Sequence, residues 1–416
     1  MKLRYVLLAL ILCFSFAVVH AESYDFVLNL YGNANLDGTI DNKDIEYVKA
    51  VLEGKETPTK FSDANNDGKV DENDVTQIEQ IIDGKEKVLI LIDSANRTVA
   101  LKTPIERVVI ARKGAEEFTI LMAKDKIVGI GDDAKLNNPD IVKKTGVDKI
   151  QSVGNFNSGS LDYETIISLK PDLVIATSPA LKKGLADKIP ENIPVVALDS
   201  EVDIDLASQD EIIKKLGYIV NEPKKADKII NWRDKYKDIV SNGISKLDQD
   251  TLPTYYVETY DKYVTYFSDQ YDSKAISGCG GRNVIDRSEF LKNELKDGEV
   301  TIDPEWLIDQ DPDNIFIRED TNAAGFNWTE EDAKKELETL IDRPGWENLK
   351  AVKSGHVYLY SKCFVRSRSE IGKVYFAKWM HPDLFKDLNP DSIHEEYWKE
   401  FLDVDLKGLW VYPEPK

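Results

Sequence analysis

Two stretches of the chain, 141 positions apart, share one pattern of apolar and polar residues. Residues 161–175 and residues 302–317 each place an Asp before a short helix of apolar periodicity, with Glu in its first turn. Seven residues after that Glu, a Pro-Asp pair leads directly into an apolar strand. A helix-loop-strand unit repeated at this distance predicts two similar α/β halves, with a cleft between them.

The pattern around the first copy is typical of a parallel sheet. Continuously apolar strands alternate with helices there, and strands of this kind are buried on both faces. The predicted strands are residues 108–111, 127–131, 173–176 and 195–198, and the predicted helices are residues 115–123 and 161–169. A hairpin over residues 88–101 precedes them.

The longest helical pattern, residues 222–248, falls between the two copies of the repeat. Its apolar stripe includes Ala226, Ile230, Tyr236 and Val240. A second series follows, with predicted strands at residues 254–258, 263–267 and 356–360 and a helix at residues 272–277. We therefore expect an α/β fold of two Rossmann-like lobes, residues 87–221 and 249–416, joined by a long helix.

Two twelve-residue loops near the N-terminus carry oxygen atoms at the spacing that a hard cation requires. Their candidate ligands are Asn33, Asn35, Asp37, Thr39 and Asp44 in the first loop, and Asp63, Asn65, Asp67, Lys69 and Asp74 in the second. Position seven (Thr39 or Lys69) offers its backbone carbonyl, and a Gly at position six permits the sharp turn. Two such loops predict two Ca²⁺ sites. The first should bind more weakly, because Asn33 replaces the usual Asp.

Residues 22–86 resemble a dockerin. The shared features are the duplicated loop-helix units, Asp at position twelve and the lack of a helix before each loop. The predicted helices are residues 45–52 and 75–82, ended by Gly54 and Gly84. The resemblance implies a small all-α domain whose exposed helix faces dock on a cohesin of another surface protein. A calcium-stabilised spacer without a partner is the alternative interpretation.

The first 21 residues have the pattern of a secretion signal. Lys2 and Arg4 precede an apolar run and a small-residue cleavage site, so we expect a secreted protein associated with the cell surface. The net charge of −21 argues against a nucleic-acid partner. Cys279 and Cys363 follow the signal, and two buried thiols are favoured over a disulfide.

From residue 87 onward, the order of motifs resembles the class III solute-binding proteins of ABC importers, the group that captures ferric siderophores, haem and corrinoids. The matching segments are residues 104–109, 127–130, 153–155, 280–283, 343–346 and 352–357. The resemblance implies two lobes on a rigid helix, with the ligand between them and only modest closure. It also implies a Glu on each lobe that pairs with Arg on the permease. Glu164 and Glu305 occupy matching positions in the two copies, although an acidic residue in a first turn also stabilises its helix.

Open α/β sheets bind ligands at the carboxyl ends of their strands and in the loops that follow. The candidates at these places are Arg112, Asn157, Ser178, Tyr260, Tyr263, Arg318, Arg366 and Arg368. Arginines can hold an anionic chelate or a propionate bidentately, and tyrosines offer flat faces to a conjugated ligand. Direct metal binding in the cleft is not expected, because the histidines form no H-E-x-x-H motif.

These patterns together predict a binding protein that captures a metal chelate and delivers it to an ABC permease without catalysis. A hydrolase carried on a surface scaffold is one alternative, because dockerins often deliver hydrolases. A cell-surface structural module is another. The sequence contains no G-x-S-x-G, and its Gly280-Gly281 turn lacks a P-loop Lys, which favours binding over catalysis.

Overall fold

The computed structural model describes residues 26–199, 206–259, 261–296, 298–319 and 324–415. The predicted secretion signal and Tyr260 lie outside the described residues. Among the helices in the described ranges, none combines the length and the apolar character that a membrane span requires.

The N-terminal module consists of two loop-helix units. Its helices are α1 (Asn42–Leu52) and α2 (Glu72–Asp83). Both begin before the predicted positions 45 and 75, because Asp41 and Asp71 accept backbone hydrogen bonds as N-caps. Asp44 and Asp74 complete a capping box in each helix. The last calcium-type position of each loop therefore also belongs to the first turn of the following helix.

The N-lobe is built on a four-stranded parallel sheet with the order β4-β3-β5-β6, preceded by the antiparallel hairpin β1-β2. The strands are β1 (Val88–Ile92), β2 (Thr98–Lys102), β3 (Val108–Ile110), β4 (Ile127–Ile130), β5 (Leu173–Ala176) and β6 (Val195–Ala197). The helices are α3 (Glu116–Ala123), α4 (Asp132–Asn137), α5 (Pro139–Lys144), α6 (Tyr163–Ser168), α7 (Ser178–Lys182) and α8 (Leu206–Ile219). Strands β3, β5 and β6 are buried along their whole length, which explains their continuously apolar sequences.

The predicted connecting helix is α9 (Pro223–Ile244), the longest helix in the described ranges at 22 residues. Pro223 opens it at a position where proline removes no helical hydrogen bond. Its buried face includes Ala226, Ile230, Tyr236 and Val240, all members of the predicted apolar stripe. The helix packs on α8 of the N-lobe and on α15 (Ser369–Met380) of the C-lobe.

The C-lobe holds a five-stranded sheet with the order β13-β12-β11-β7-β9, parallel except for the edge strand β13. Its strands, with the separate ribbon β8-β10, are β7 (Thr254–Glu258), β8 (Val264–Thr265), β9 (Arg282–Asn283), β10 (Val300–Thr301), β11 (Asn314–Glu319), β12 (Val357–Ser361) and β13 (Val411–Tyr412). Its helices are α10 (Tyr271–Ser277), α11 (Glu289–Asn293), α12 (Pro304–Gln310), α13 (Glu330–Ile341), α14 (Lys350–Ser354), α15 (Ser369–Met380) and α16 (Pro390–Leu402). The predicted strand over residues 263–267 is shortened to β8, because Tyr263 has a left-handed φ of 61°.

Both copies of the repeated pattern adopt the same local structure. The first copy forms α6 followed by β5, and the second forms α12 followed by β11. Asp162 and Asp303 cap the two helices through their side chains, as the repeated Asp predicted. Both strands lie in the interior of their sheets. The predicted α/β fold of two lobes on one long helix, preceded by a small helical module, is confirmed.

Candidate functional site

Side chains of both lobes line a narrow crevice with a free volume of about 10 Å³. The N-lobe contributes Gly114 and the start of α3, which follow β3, together with Asn137 and Asn138 between α4 and α5. The C-lobe contributes Arg366 and Ser367, which follow β12. The crevice therefore lies at the carboxyl ends of parallel strands from both sheets, where α/β folds bind ligands.

Glu117 joins the two lobes at the back of this crevice. Its buried carboxylate accepts hydrogen bonds from Arg368 Nε at 3.1 Å and from the Tyr397 hydroxyl at 2.7 Å. The hydroxyl of Ser367 donates to the same carboxylate. Arg368 is itself buried, so its guanidinium serves a contact between the lobes.

Arg318 and Arg366 share one buried carboxylate, that of Asp272 at the start of α10. Arg318, at the end of β11, donates to the Asp272 carboxylate. Burial alone would lower the pKa of the Arg318 guanidinium, but the charge of Asp272 raises that pKa above its ordinary value. The Arg366 Nη2 atom lies 3.4 Å from the other carboxylate oxygen. The side chain of Arg366 keeps 22% of its surface exposed, whereas Arg318 is buried. Of these two arginines, Arg366 is the one that lines the crevice.

Three predicted ligand residues of the N-lobe gather at one edge of its sheet. The Arg112 Nη1 atom donates to Thr177 Oγ1 at 2.8 Å, and its guanidinium lies 5.3 Å from the centre of the Phe156 ring. Thr177 and Phe156 directly precede Ser178, which is buried at the start of α7, and Asn157, which is exposed in a turn. Arg112 is two positions before Gly114 of the crevice lining, but none of the three predicted residues is itself part of that lining.

Tyr263 lies in the C-lobe, away from the residues that line the crevice. Its ring packs edge-on to Trp346 at 6.4 Å, and the Arg343 guanidinium lies 5.2 Å from the ring centre. Its backbone N–H donates to Glu258 at 3.0 Å. The ring thus packs against an apolar cluster of the C-lobe that includes Trp346.

Glu164 and Glu305 are both exposed in the first turns of α6 and α12. The N-cap roles of Asp162 and Asp303 fix the start of each helix, and therefore the place of each Glu on its lobe. Two carboxylates held in this way on separate lobes have the exposure that recognition of a membrane partner would require.

The first calcium-type loop contains polar groups that a cation would stabilise. The amide nitrogen of Asn33 donates to the carbonyls of Leu28 and Asp37 at 2.8 and 2.7 Å, which leaves its oxygen buried without a hydrogen-bond partner. Burial raises the pKa of Asp44 to about 7. A nearby divalent cation would reverse that shift. These features fit a calcium ligand set.

The second loop holds its acidic side chains apart from one another. Asp63 accepts hydrogen bonds from the backbone N–H groups of Asp67 and Gly68 at 3.0 and 2.9 Å. Across the described residues, no three His, Cys, Asp or Glu side chains converge closely enough to hold a metal ion. Asn and backbone oxygens would therefore be needed to complete each calcium site.

The sequence analysis missed Glu116, Glu117 and the asparagines beside them. Glu116 accepts from the side-chain amides of Asn137 and Asn138 at 2.6 Å and from the backbone N–H of Gly114 at 2.6 Å. One available signal was the presence of two adjacent acids at the start of α3, a helix that is otherwise apolar. Charged residues in such a run need buried partners.

Cys279 and Cys363 are both free and buried. Burial raises the pKa of the Cys279 thiol to about 12 and that of Cys363 to about 11. Both groups therefore stay protonated at neutral pH, and neither has the low pKa of a nucleophilic cysteine.

Two α/β lobes on a single long helix, with a polar crevice between their strand ends, define a two-lobed solute-binding protein. Residues 108–362 match the family model of the periplasmic binding proteins, and residues 31–83 match that of the dockerin type I domain. The chain belongs to the periplasmic binding protein family, and it is a substrate-binding protein of an ABC importer with a dockerin-type module in front of its lobes.

Similar proteins include the molybdate-binding protein MolA of Haemophilus influenzae, 22% identical over 344 residues, which make up 76% of this chain and 92% of that protein. The Fe(3+)-citrate-binding protein YfmC of Bacillus subtilis is 28% identical over 278 residues, 64% of this chain and 76% of that protein. The crystal structure of the TroA-like periplasmic binding protein FepB from Veillonella parvula aligns with a TM-score of 0.66 at 22% identity, over 77% of this chain and 98% of that one. This last likeness supports the fold.

Proposed function

We propose that the inter-lobe crevice captures a compact, anionic metal chelate and that the protein delivers this ligand to its permease. One observation carries the proposal: Arg366, a partly exposed arginine anchored by the buried Asp272, lines a crevice at the strand ends of both lobes. The acidic groups beside it are already engaged, since Glu116 and Glu117 accept hydrogen bonds from neighbouring donors. Arg366 is thus the group that would meet an anion.

The crevice is narrow, with a free volume of about 10 Å³, far below that of typical ligand sites. Capture would therefore require the lobes to separate, and this favours a small ligand within the predicted range of siderophore, haem and corrinoid chelates. The names of two similar proteins, which bind molybdate and ferric citrate, support a compact anion. Arg112, beside the crevice, would supply a second positive charge.

Replacing Arg366 by alanine is expected to weaken ligand binding at least tenfold, because a charge-assisted hydrogen bond contributes about 1.5–3 kcal/mol. Thermal-shift titrations with ferric citrate, molybdate, haem and cobinamide would identify the ligand class and measure the loss. Arg287→Ala is the matched control, since Arg287 is exposed on the C-lobe outside the crevice lining. Equal affinity of the two variants for the identified ligand would contradict the role of Arg366.

Delivery would follow from docking of the loaded protein on the permease through Glu164 and Glu305. Binding and release suffice for this role, and the matched relatives are solute-binding proteins, so we propose no catalytic step. The role requires export, which the signal-like residues 1–21 would direct. Turnover of a substrate by the purified protein would favour the hydrolase alternative.

The module would bind two Ca²⁺ ions through the predicted ligand sets and would dock on a cohesin, which retains the protein at the cell surface. The match to the dockerin type I model supports both roles. The module also exposes large apolar side chains, Leu52 at the end of α1 and Ile82 at the end of α2. Exposed apolar groups beside polar ones are typical of protein-binding surfaces.

Substituting Leu52 or Ile82 by Asp is expected to weaken binding to a purified cohesin at least tenfold, because central apolar contacts carry most of the energy of such interfaces. Surface plasmon resonance with a panel of cohesins, in calcium and in chelator, would measure this change. Leu136→Asp serves as the control, since Leu136 is exposed on the N-lobe. If the unmodified protein binds no cohesin of the panel in calcium, the spacer interpretation replaces the docking one.

A further inference from the structure

The two calcium-type loops of the module have different surroundings. In the first loop, Gly38 and Ile40 are buried, and Tyr218 of helix α8 contacts Ile40. In the second loop, the corresponding Gly68 is exposed and Val70 is only partly buried. The duplicated sequence therefore has one copy turned towards the N-lobe and one copy turned towards solvent.

The contact between α8 and the first loop centres on the hydroxyl of Tyr218. This hydroxyl accepts a hydrogen bond from the Ile40 backbone N–H at 2.8 Å and lies 3.3 Å from the Ile40 carbonyl oxygen. It also lies 3.3 Å from the Thr39 side-chain hydroxyl. Tyr218 is buried, and its phenolic hydroxyl can both accept from the Ile40 N–H and donate to the Ile40 carbonyl.

The bond to Ile40 acts on the peptide unit that would bind calcium. The predicted ligand at position seven is the backbone carbonyl of Thr39, and this carbonyl belongs to the same planar peptide as the Ile40 N–H. A hydrogen bond to the N–H fixes the plane of that peptide, and it also increases the negative charge on its carbonyl oxygen. Tyr218 is therefore placed to orient and strengthen a calcium ligand without touching the ion.

Other contacts between the module and the N-lobe hold the first loop against Tyr218. The Asn29 backbone N–H donates to Glu211 of α8 at 3.1 Å, and Leu30 forms a β-bridge with Leu91 of the hairpin. At the far end of α2, a Cβ added to Gly84 would lie 2.4 Å from the side-chain oxygen of Asn221, so the two segments approach closely. The module thus meets the N-lobe along three separate segments.

We infer that the first calcium site is a composite one, in which Tyr218 of the solute-binding lobe acts as a positioning residue for the Thr39 carbonyl. The inference rests on the proposed binding of calcium by the module. Asn33 gives this loop one negative charge fewer than the second loop, and the orientation of Thr39 by Tyr218 offsets part of that deficit. Calcium binding at the first loop is consequently linked to the order of α8, whereas calcium binding at the second loop is independent of the lobe.

Calorimetric calcium titration of the full chain tests the inference. Asp67→Asn first weakens the second loop, so that the remaining signal reports the first loop. In that background, Tyr218→Phe is expected to lower calcium affinity about fivefold, as loss of one hydrogen bond of ordinary strength predicts. Tyr47→Phe is the matched control, because the Tyr47 hydroxyl donates to Thr57 inside the module, away from the first loop.

A second variant separates a specific effect from general loosening of the interface. Asn29→Ala removes the hydrogen bond from the Asn29 side-chain amide to Glu211, 3.4 Å long, but leaves the first loop intact, and it is expected to keep the parental calcium affinity. Hydrogen exchange gives an independent readout: calcium is expected to slow exchange in α8 of the parent protein but much less in Tyr218→Phe. Circular dichroism verifies that each variant is folded.

The outcomes distinguish the inference from the proposed function. If the unmodified protein binds no calcium, the calcium part of the proposed function fails, and the inference fails with it. If it binds two ions and Tyr218→Phe leaves both affinities unchanged, the composite site is overturned while the proposed function stands. An equal loss of affinity in Asn29→Ala and Tyr218→Phe would also overturn the positioning role.

Discussion

Replacing Arg233 by methionine is expected to lower the free energy of unfolding by about 3–5 kcal/mol, because the change strands two buried carboxylates. Arg233 lies on α9 and is buried. Its Nε atom donates to Asp210 of α8 at 2.7 Å, and its Nη1 atom lies 2.7 Å from Glu370 of α15. Burial already raises the pKa of Asp210 to about 6 even with the arginine present. The connecting helix thus uses one cation to hold an acid from each lobe.

Urea denaturation would measure this loss, and a compensated variant provides the control. Adding Asp210→Asn and Glu370→Gln to Arg233→Met removes the stranded charges, so most of the lost stability should return. If the triple variant is as unstable as the single one, packing around Arg233, and not its charge, holds the lobes. The ion triad would then contribute less to the stability of the fold than its burial implies.

Reversing the charge of both Glu164 and Glu305 to Lys is expected to abolish transport while ligand affinity stays unchanged. Each reversal places a positive charge opposite the arginine that the family resemblance implies on the permease, and a mispaired charge at an interface costs several kcal/mol. Both residues are exposed at the starts of α6 and α12, outside the crevice lining. Uptake of labelled ligand into proteoliposomes that contain the permease is the measurement.

The control for this experiment is a pair of glutamates in equivalent helical positions. Glu289 and Glu330 are also exposed in first turns, those of α11 and α13, so their change to Lys removes the same favourable helix-dipole interaction. Normal transport by that double variant would assign the defect to the positions of Glu164 and Glu305. Normal transport by Glu164→Lys with Glu305→Lys would refute the docking role.

Local pattern in the sequence was enough to predict the architecture. The repeated Asp-to-strand unit, the apolar stripe of α9 and the two oxygen-rich loops are each encoded in one short continuous stretch, and periodicity indicates such elements well. The helix starts in the module were displaced because the Asp at position nine of each loop also serves as an N-cap. The Asp at position twelve, predicted only as a calcium ligand, also completes the capping box of the following helix.

The partners of the charged residues were beyond the reach of the sequence. Ser367 meets Glu117 across 250 positions, and Tyr218 meets Ile40 across 178. A local sequence pattern does not predict such pairs, because the two residues of each pair are brought together by the packing of whole helices and strands. The sequence analysis grouped Arg318, Arg366 and Arg368 as equivalent ligand candidates, but Asp272 and Glu117 give each arginine a different environment. Their roles in ligand binding stay predictions.

The β-bridge between Leu30 and Leu91 has a consequence for how this polypeptide can be cut. The module and the N-lobe share one continuous apolar core, so each part has apolar side chains at their contact that the other part shields from water. Removal of residues 22–86 would uncover Ile90 and Ile92, which form a buried apolar cluster with Tyr31 and Phe61 of the module, and the remaining lobes would tend to aggregate. The module therefore cannot be removed or exchanged without affecting the N-lobe. The module and the N-lobe are expected to unfold in one cooperative thermal transition.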